Sequence, residues 1–214
     1  MRSLPDPTNG EPTRKRRMPR ADRERQMMAV AEQVFAERGY VAASMDEIAD
    51  RVGVSKPMLY EYFGSKEGLL VACIRLARAE LLQVTSDACV RPDTPEQMLR
   101  QGLIAYFRFI TEHQKSWALL RSEAAVVGPS AAGEIEAVRQ QQTDLISSTM
   151  ALYAPAPLDT APVAEVIVGG CERLALWCER NQDVTPEQAA ELVMQLIWFG
   201  IAAVVPDTPS PGRG

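Results

Sequence analysis

The chain has 214 residues, of which 46% are hydrophobic and 24% are charged. This composition is ordinary for a soluble globular protein and excludes collagen-like, disulfide-stapled and wholly disordered chains. The longest apolar stretch is the ten residues Leu196–Val205, whereas a membrane span needs about 20. The polar, Arg-rich N-terminus has no apolar run behind it, so a signal peptide is not expected. We expect a cytoplasmic protein with no membrane segment.

Charge is distributed unevenly along the chain. The net charge is −5, but Met1–Lys66 carries 12 Lys and Arg against 10 Asp and Glu, and the remainder carries 11 against 18. The most basic stretch, Arg14–Arg25, holds seven basic and two acidic residues. Such a block attracts phosphate, although it is also typical of a solvated tail. The acidic remainder is not expected to bind nucleic acid.

Cysteine and histidine have no spacing that suggests a metal or catalytic site. Cys73, Cys89, Cys171 and Cys178 show no CxxC or Cys/His ligand pattern, and His113 is the single histidine. Phosphate-binding Gly-rich loops, HExxH and Gly-x-Ser-x-Gly are absent from the sequence. We therefore expect no enzyme, no cofactor and no metal, and we expect the cysteines to be small buried side chains.

Apolar periodicity predicts an all-α fold of about nine helices, three short ones followed by six longer ones. The predicted helices span residues 22–39, 44–52, 56–63, 65–89, 96–113, 116–126, 133–153, 163–180 and 187–204. Ser44 with Glu47 forms a capping box at the second helix, where Glu47 reaches back to Ser44. The Pro- and Gly-rich ends of the chain are expected to be disordered.

The second and third predicted helices match a helix-turn-helix. They are joined by about three residues; Ala49 is small enough for a close crossing, and Gly53 supplies a turn conformation that a side chain disfavours. The second helix of such a unit keeps one face free and fits the major groove of DNA. The apolar contact positions are Ile48, Val52, Val54, Leu59 and Tyr62.

Two segments carry a family resemblance. Val54–Leu69, with the sequence VSKPMLYEYFGSKEGL, resembles the signature of the TetR family of bacterial transcriptional regulators, and Ala31–Ala49 fits the two helices before it. The resemblance implies a homodimer whose subunits join a small DNA-binding domain to a larger helical domain. It assigns a basic arm to residues 1–19, the helix-turn-helix domain to 20–66, ligand binding and dimerisation to 67–205, and a tail to 206–214.

The resemblance and the residue chemistry together assign contacts to base edges. Lys56 is expected to donate to guanine O6 and N7, whereas Pro57 and Met58 touch thymine methyl groups. Glu61 either accepts from a cytosine amino group or forms a salt bridge with a basic neighbour. Met58 departs from the small or polar residue common at its position, so the operator sequence cannot be taken from relatives.

A second set of side chains is assigned to the phosphate backbone and the minor groove. Tyr60 and Tyr62 match phosphate-binding positions, although Tyr62 is alternatively part of the core. Lys66 matches a recurrent phosphate contact, and the helix starts at Ser44 and Ser55 suit phosphate as well. The basic arm is expected to enter the neighbouring minor groove through Arg14, Lys15, Arg16, Arg17 and Arg20.

The C-terminal helices are expected to hold an apolar cavity for a small lipophilic effector, with core packing as the alternative for each residue. Aromatic and apolar candidates include Tyr106 and Met150, and an acidic residue there would meet a cationic ligand or pair within the helices. The expected pocket residues are Phe107, Trp117, Leu120, Glu123 and Trp177.

The last two helices are expected to form a four-helix dimer interface. Gly169 and Gly170 lie inside a helix, where each costs about 1 kcal/mol relative to Ala, and close approach of a partner helix would offset that cost. The apolar run that includes Leu196, Ile197 and Ile201 is typical of a helix buried on two sides.

These features predict a repressor that an effector releases from a palindromic double-stranded DNA operator, with the fourth helix coupling the two domains. The alternative is a DNA-binding regulator without a small-molecule effector, controlled by a protein partner or acting as an activator.

Overall fold

The computed structural model describes residues 18–90, 93–121, 128–154, 158–181 and 183–202. Every regular element within these ranges is an α-helix, and the nine helices found there confirm the predicted all-α fold. No helix in these ranges is long and apolar enough to cross a membrane. The helices are α1 (Arg20–Ala42), α2 (Met45–Val52), α3 (Lys56–Phe63), α4 (Lys66–Val90), α5 (Pro95–Glu112), α6 (Gln114–Leu120), α7 (Pro129–Ala151), α8 (Ala161–Arg180) and α9 (Pro186–Ala202).

The first three helices pack together through buried side chains. Met27 and Ala31 on α1, Ile48 on α2 and Leu59 on α3 are all fully buried. The turn between α2 and α3 depends on Gly53, which lies in the left-handed region at φ 77° and ψ 38°. The amides of Gly53 and Val54 both donate to the Ala49 carbonyl oxygen. The predicted helix-turn-helix geometry is therefore present.

Helix α4 forms the centre of the molecule. It packs against α1 and α3 on the N-terminal side and against α5, α6 and α7 on the other. Leu69, Leu70, Ile74 and Leu81 along it are at most 1% exposed. Its buried residues belong to one hydrophobic core that continues from the first three helices into the helices that follow.

Two predicted helix boundaries were wrong. Helix α7 begins at Pro129 rather than at residue 133, because proline at the first helical position has no amide that needs an intrahelical partner. The Ser130 amide instead donates to the Glu67 carboxylate of α4 at 3.1 Å. Helix α6 ends at Leu120, and the second half of the predicted 116–126 helix lies outside the described residues from 122 onward.

The predicted capping box at α2 is only half formed. Ser44 Oγ accepts from the Glu47 amide at 3.1 Å, but the Glu47 carboxylate does not return to Ser44. It pairs instead with Arg51 at 2.6 Å and with Arg38 at 3.4 Å, because two cations offer stronger partners than one amide. This ion-pair group ties α2 to α1.

Gly68 in the first turn of α4 supports a stability prediction. A Cβ atom at this position would lie 2.1 Å from the Phe63 carbonyl oxygen, a backbone atom that cannot turn aside. We expect Gly68→Ala to lower the free energy of unfolding by about 2 kcal/mol, measured by urea denaturation at a fixed protein concentration.

Gly133→Ala is the matched control. Gly133 lies in α7 with nothing within 4 Å of its Cβ position, so alanine there should stabilise by up to about 1 kcal/mol. A Gly68→Ala protein as stable as the wild type would contradict the steric argument.

Candidate DNA-binding surface and ligand cavity

Helix α3 presents one face to the core and the opposite face to solvent. Leu59 is fully buried, whereas Met58 is 36% exposed and Tyr60 is 42% exposed. Pro57 and Glu61 are exposed on the same helix. Glu61 forms no ion pair among the residues that the structure describes, so the alternative salt bridge for this residue is not observed. The face assigned to base edges is therefore open to solvent.

Lys56 is already engaged within the chain. Its Nζ donates to Asp46 Oδ2 of α2 at 2.9 Å, and both side chains are largely exposed. The hydrogen bond from Asp46 raises the pKa of the Lys56 ammonium. An exposed ion pair of this kind contributes little stability. Lys56 must break its ion pair with Asp46 before it can contact a base, and the free-energy cost of doing so is small.

Lys66 is turned towards the protein rather than outward. Its Nζ donates to the Val41 carbonyl oxygen at 3.1 Å and lies 4.6 Å from the centre of the Tyr40 ring. Burial lowers the pKa of this lysine. In this arrangement Lys66 joins the start of α4 to the end of α1.

Tyr62 is half-buried and packs against the core, as its alternative assignment foresaw. The Arg20 guanidinium stacks over its ring at 4.7 Å, which fixes the first residue of α1 beside α3. Arg14, Lys15, Arg16 and Arg17 lie outside the described residues.

The helix starts at Ser44 and Ser55 are both exposed, but they differ in one respect. The Ser44 hydroxyl caps α2. Ser55 has the extended backbone of a cap residue without a side-chain capping bond, so its hydroxyl remains available to an external acceptor.

An apolar cavity lies among α4, α5, α7, α8 and α9. The empty space between these helices, including the part open to solvent at its mouth, is about 770 Å³. The cavity is lined by Thr85, Cys89, Pro95, Met98, Leu99, Gly102, Leu103, Tyr106, Gln142, Leu145, Ile146, Thr149, Met150, Val168, Cys171 and Trp198.

The narrower set of expected pocket residues does not coincide with this lining. Phe107, Trp117 and Leu120 are buried in the core outside the cavity wall, and Trp177 is 42% exposed. Glu123 lies outside the described residues. Tyr106 and Met150, from the wider set, do line the cavity. Large aromatic side chains fill space between helices, which is why they are poor markers of a void.

One lining residue missed by the sequence analysis is Gln142. It sits in the apolar stripe of α7 formed by Val138, Ile146 and Met150, and only 6% of its surface is exposed. A glutamine at a core-facing helical position is a signal in the sequence, because polar side chains are seldom buried without a purpose.

The described part of the cavity wall carries no formal charge at neutral pH. No Asp, Glu, Lys or Arg is among the lining residues that the structure describes. Burial raises the pKa of the Tyr106 hydroxyl well above its ordinary value and raises the pKa of the Cys171 thiol to about 12. Both groups therefore remain protonated and neutral.

Helix α6 bridges the two parts of the chain. Its Ser116 hydroxyl donates to Glu32 of α1, and its Trp117 Nε1 donates to Glu179 of α8 at 2.6 Å. The Trp117 ring also meets the Tyr106 ring edge-on at 6.4 Å. Hydrogen bonds and ring contacts thus connect a cavity residue to the first helix.

Helices α8 and α9 expose apolar surface. Leu196 is 83% exposed and Val166 is 69% exposed. Gly169 and Gly170 are exposed, with nothing within 4 Å of their Cβ positions. Ile197, in contrast, is only partly exposed and packs against the chain's own core. The Ile201 side chain lies outside the described part.

Two models of known protein families match this chain. A family model of bacterial regulatory proteins of the tetR family matches residues 27–73, and a model of the tetracyclin repressor-like C-terminal domain matches residues 95–200. The HTH-type transcriptional activator FasR of Mycolicibacterium smegmatis is 30% identical over 190 residues, which cover 88% of this chain and 87% of FasR.

Two solved structures share the fold over most of the chain. A TetR-like transcriptional regulator from Rhodococcus sp. RHA1 is 32% identical with a TM-score of 0.72, covering 87% of this chain and 99% of its own. A tetR-family regulator from Streptomyces coelicolor is 26% identical with a TM-score of 0.71, covering 87% and 84%. The helix-turn-helix, the helical C-terminal part and these matches agree, and the chain belongs to the TetR family of DNA-binding transcriptional regulators, which are not enzymes.

Proposed function

We propose that this protein binds a palindromic DNA operator as a homodimer and that a small lipophilic effector controls this binding. The observation that supports DNA binding is the solvent-facing side of α3. Met58, Tyr60 and Glu61 are exposed there, whereas the buried Leu59 holds the opposite side of the helix against the core. A helix held in this way can enter the major groove without unfolding its own core.

Contacts divide into those that read bases and those that position the protein. Lys56, Pro57, Met58 and Glu61 are the base-reading set, and Tyr60 with the free Ser55 hydroxyl serves the phosphate backbone. Lys66 and Tyr62 take a supporting part, because both are held against the protein. The basic arm, Arg14–Arg20, is assigned to the adjacent minor groove.

The dimer is proposed to form through α8 and α9. Leu196 and Val166 would lose most of their exposed apolar surface against a second copy. The open space in front of Gly169 and Gly170 would admit a partner helix at short range. Two copies would read half-sites about one helical turn apart, or a multiple of that.

Effector control is supported by the cavity and by the elements that surround it. Helix α7 lines the cavity, and its first turn rests on Glu67 at the start of α4. Arg75 and Arg78 of α4 clamp Glu134 of α7 at 2.7 and 2.8 Å. A ligand that favours one position of α7 would therefore favour one position of α4 and of the α3 attached to it.

The direction of regulation has two candidates. Release of a repressor by the effector is the first. Activation is the second, and it is favoured by the similarity to FasR of M. smegmatis, a transcriptional activator that matches 88% of this chain. The position of the operator relative to a promoter decides between them, so a reporter carrying the selected operator upstream or across the promoter distinguishes the two.

The central experiment is selection of bound sequences from randomised duplex DNA at two salt concentrations. We expect an enriched palindrome whose affinity falls steeply with salt, because basic side chains displace counterions from phosphate. Weak, salt-sensitive binding without enrichment would refute sequence-specific recognition.

Releasing Lys56 from its partner should strengthen operator binding. Asp46→Asn removes the carboxylate that holds the Lys56 ammonium at 2.9 Å. We expect affinity to rise about threefold to tenfold at low salt and the salt slope to steepen by about one, measured by fluorescence anisotropy on the selected operator.

Asp50→Asn is the matched control, since Asp50 is exposed on the same helix and its carboxylate makes no ion pair among the described residues. It should change affinity less than about twofold. Equal gains in both variants would show that net charge alone is responsible.

A charge at the exposed face of α9 should break the dimer. Leu196→Glu places a carboxylate where the proposed interface excludes water, so the dimer dissociation constant should rise at least about 100-fold, measured by sedimentation equilibrium. Leu152→Glu alters a residue that is 71% exposed outside α8 and α9, and it should leave the dimer intact. A stable Leu196→Glu dimer would place the interface elsewhere.

A further inference from the structure

Gln142 is an unusual group in the cavity wall. Its side-chain Nε2 is buried and has no hydrogen-bond partner among the described residues. The residue is 6% exposed and lines the cavity. A buried amide donor without a partner is destabilising, and a hydrogen-bond acceptor carried by a ligand would remove that cost.

The other polar groups in the wall behave differently. The Thr85 hydroxyl donates to the Leu81 carbonyl oxygen at 2.8 Å, and the Thr149 hydroxyl donates to the Leu145 carbonyl oxygen at 2.7 Å. Their donor capacity is used within their own helices. Gln142 Nε2 therefore differs from the two threonine hydroxyls of the wall, because it lacks a hydrogen-bond partner among the described residues.

Tyr106 adds a second donor to the same wall. It lines the cavity, and its hydroxyl takes part in no hydrogen bond found in the described ranges. The other described lining residues are apolar or carry a thiol or a bonded threonine hydroxyl, and none of them is charged. The nearby Arg139 is already paired with Glu172 at 2.8 Å, so a charged ligand group would lose its hydration without gaining a free ion-pair partner among the described residues, which is costly.

We propose that the cavity selects an elongated apolar ligand carrying an uncharged hydrogen-bond acceptor, such as a ketone, ester or amide carbonyl, which accepts from Gln142 Nε2. Tyr106 is the second donor available to that group. The apolar wall binds the body of the ligand, and Gln142 determines which lipophilic molecules fit. This inference deepens the proposed effector site and rests on it.

The test uses two probes of the same shape, 2-nonanone and 2-methyl-1-nonene, in which a methylene replaces the carbonyl oxygen. Each displaces a fluorescent naphthylamine dye from the full-length protein, and dissociation constants are compared for wild type and Gln142→Leu. We expect Gln142→Leu to weaken 2-nonanone about fivefold to tenfold and to leave the alkene unchanged or bound more tightly.

Gln140→Leu is the matched control, because it makes the same substitution on the same helix. Gln140 is exposed, is not among the lining residues of the cavity, and its Nε2 donates to Asp144 Oδ1 at 2.8 Å. This variant should change both dissociation constants less than about twofold. Gln142→Met serves as a second apolar variant of similar length, so the comparison does not depend on the folding of one protein.

Nonanoate tests the exclusion of charge. At neutral pH we expect it to bind the wild type at least about tenfold more weakly than 2-nonanone. Three results would overturn the proposal: equal shifts for ketone and alkene in both Gln142 variants, tighter binding of nonanoate than of the ketone, or no binding of 2-nonanone up to its solubility limit.

The readout separates this inference from the proposed regulatory function, because no DNA is present in the displacement assay. If the ketone binds with the expected dependence on Gln142 but no ligand alters operator occupancy, the ligand selectivity stands and effector control fails. If a charged lipid alters operator occupancy while the ketone shows no dependence on Gln142, effector control stands and the selectivity fails.

Discussion

The structure depends on α4 being buried on both sides along one continuous helix. Leu69, Leu70, Ile74 and Leu81 belong to one hydrophobic core that joins the DNA-binding helices to the helices that follow. Because interiors are close-packed, neither part can shift against this helix without disturbing the other. The recognition helix and the cavity are therefore parts of one mechanical unit, although they lie in segments matched by different family models.

Much of the fold could be predicted from the sequence because its signals are local. Gly53 and the apolar spacing around it determine the turn between α2 and α3, and proline-opened helices follow from the chemistry of a missing amide. The exposure of Met58 and Glu61 also follows from helical periodicity. In contrast, the inward orientation of Lys66 depends on Tyr40 and the Val41 carbonyl, which only the tertiary structure brings near.

The cavity shows the limit of such prediction more clearly. The cavity arises where the side chains of five helices do not fill the space between them. The spacing of these helices depends on the tertiary structure and cannot be read from any one segment of the sequence. Bulky residues such as Phe107 and Trp117 were natural candidates, but they pack into the core because size favours close contact. The informative residue was Gln142, whose polar side chain interrupts an apolar stripe without a partner of its own.

The length of α4 has a geometric consequence. Its 25 residues correspond to a length of about 37 Å. The Arg78–Glu134 ion pair holds the middle of the helix against α7, and its N-terminal end contacts α3. A tilt of about 5° about the Arg78–Glu134 contact, which lies about 18 Å along the helix from Lys66, would displace the end beside α3 by about 1.6 Å. In the proposed two-fold dimer this displacement would occur in both subunits, so a small movement of α7 would change the distance between the two α3 helices by up to about 3 Å.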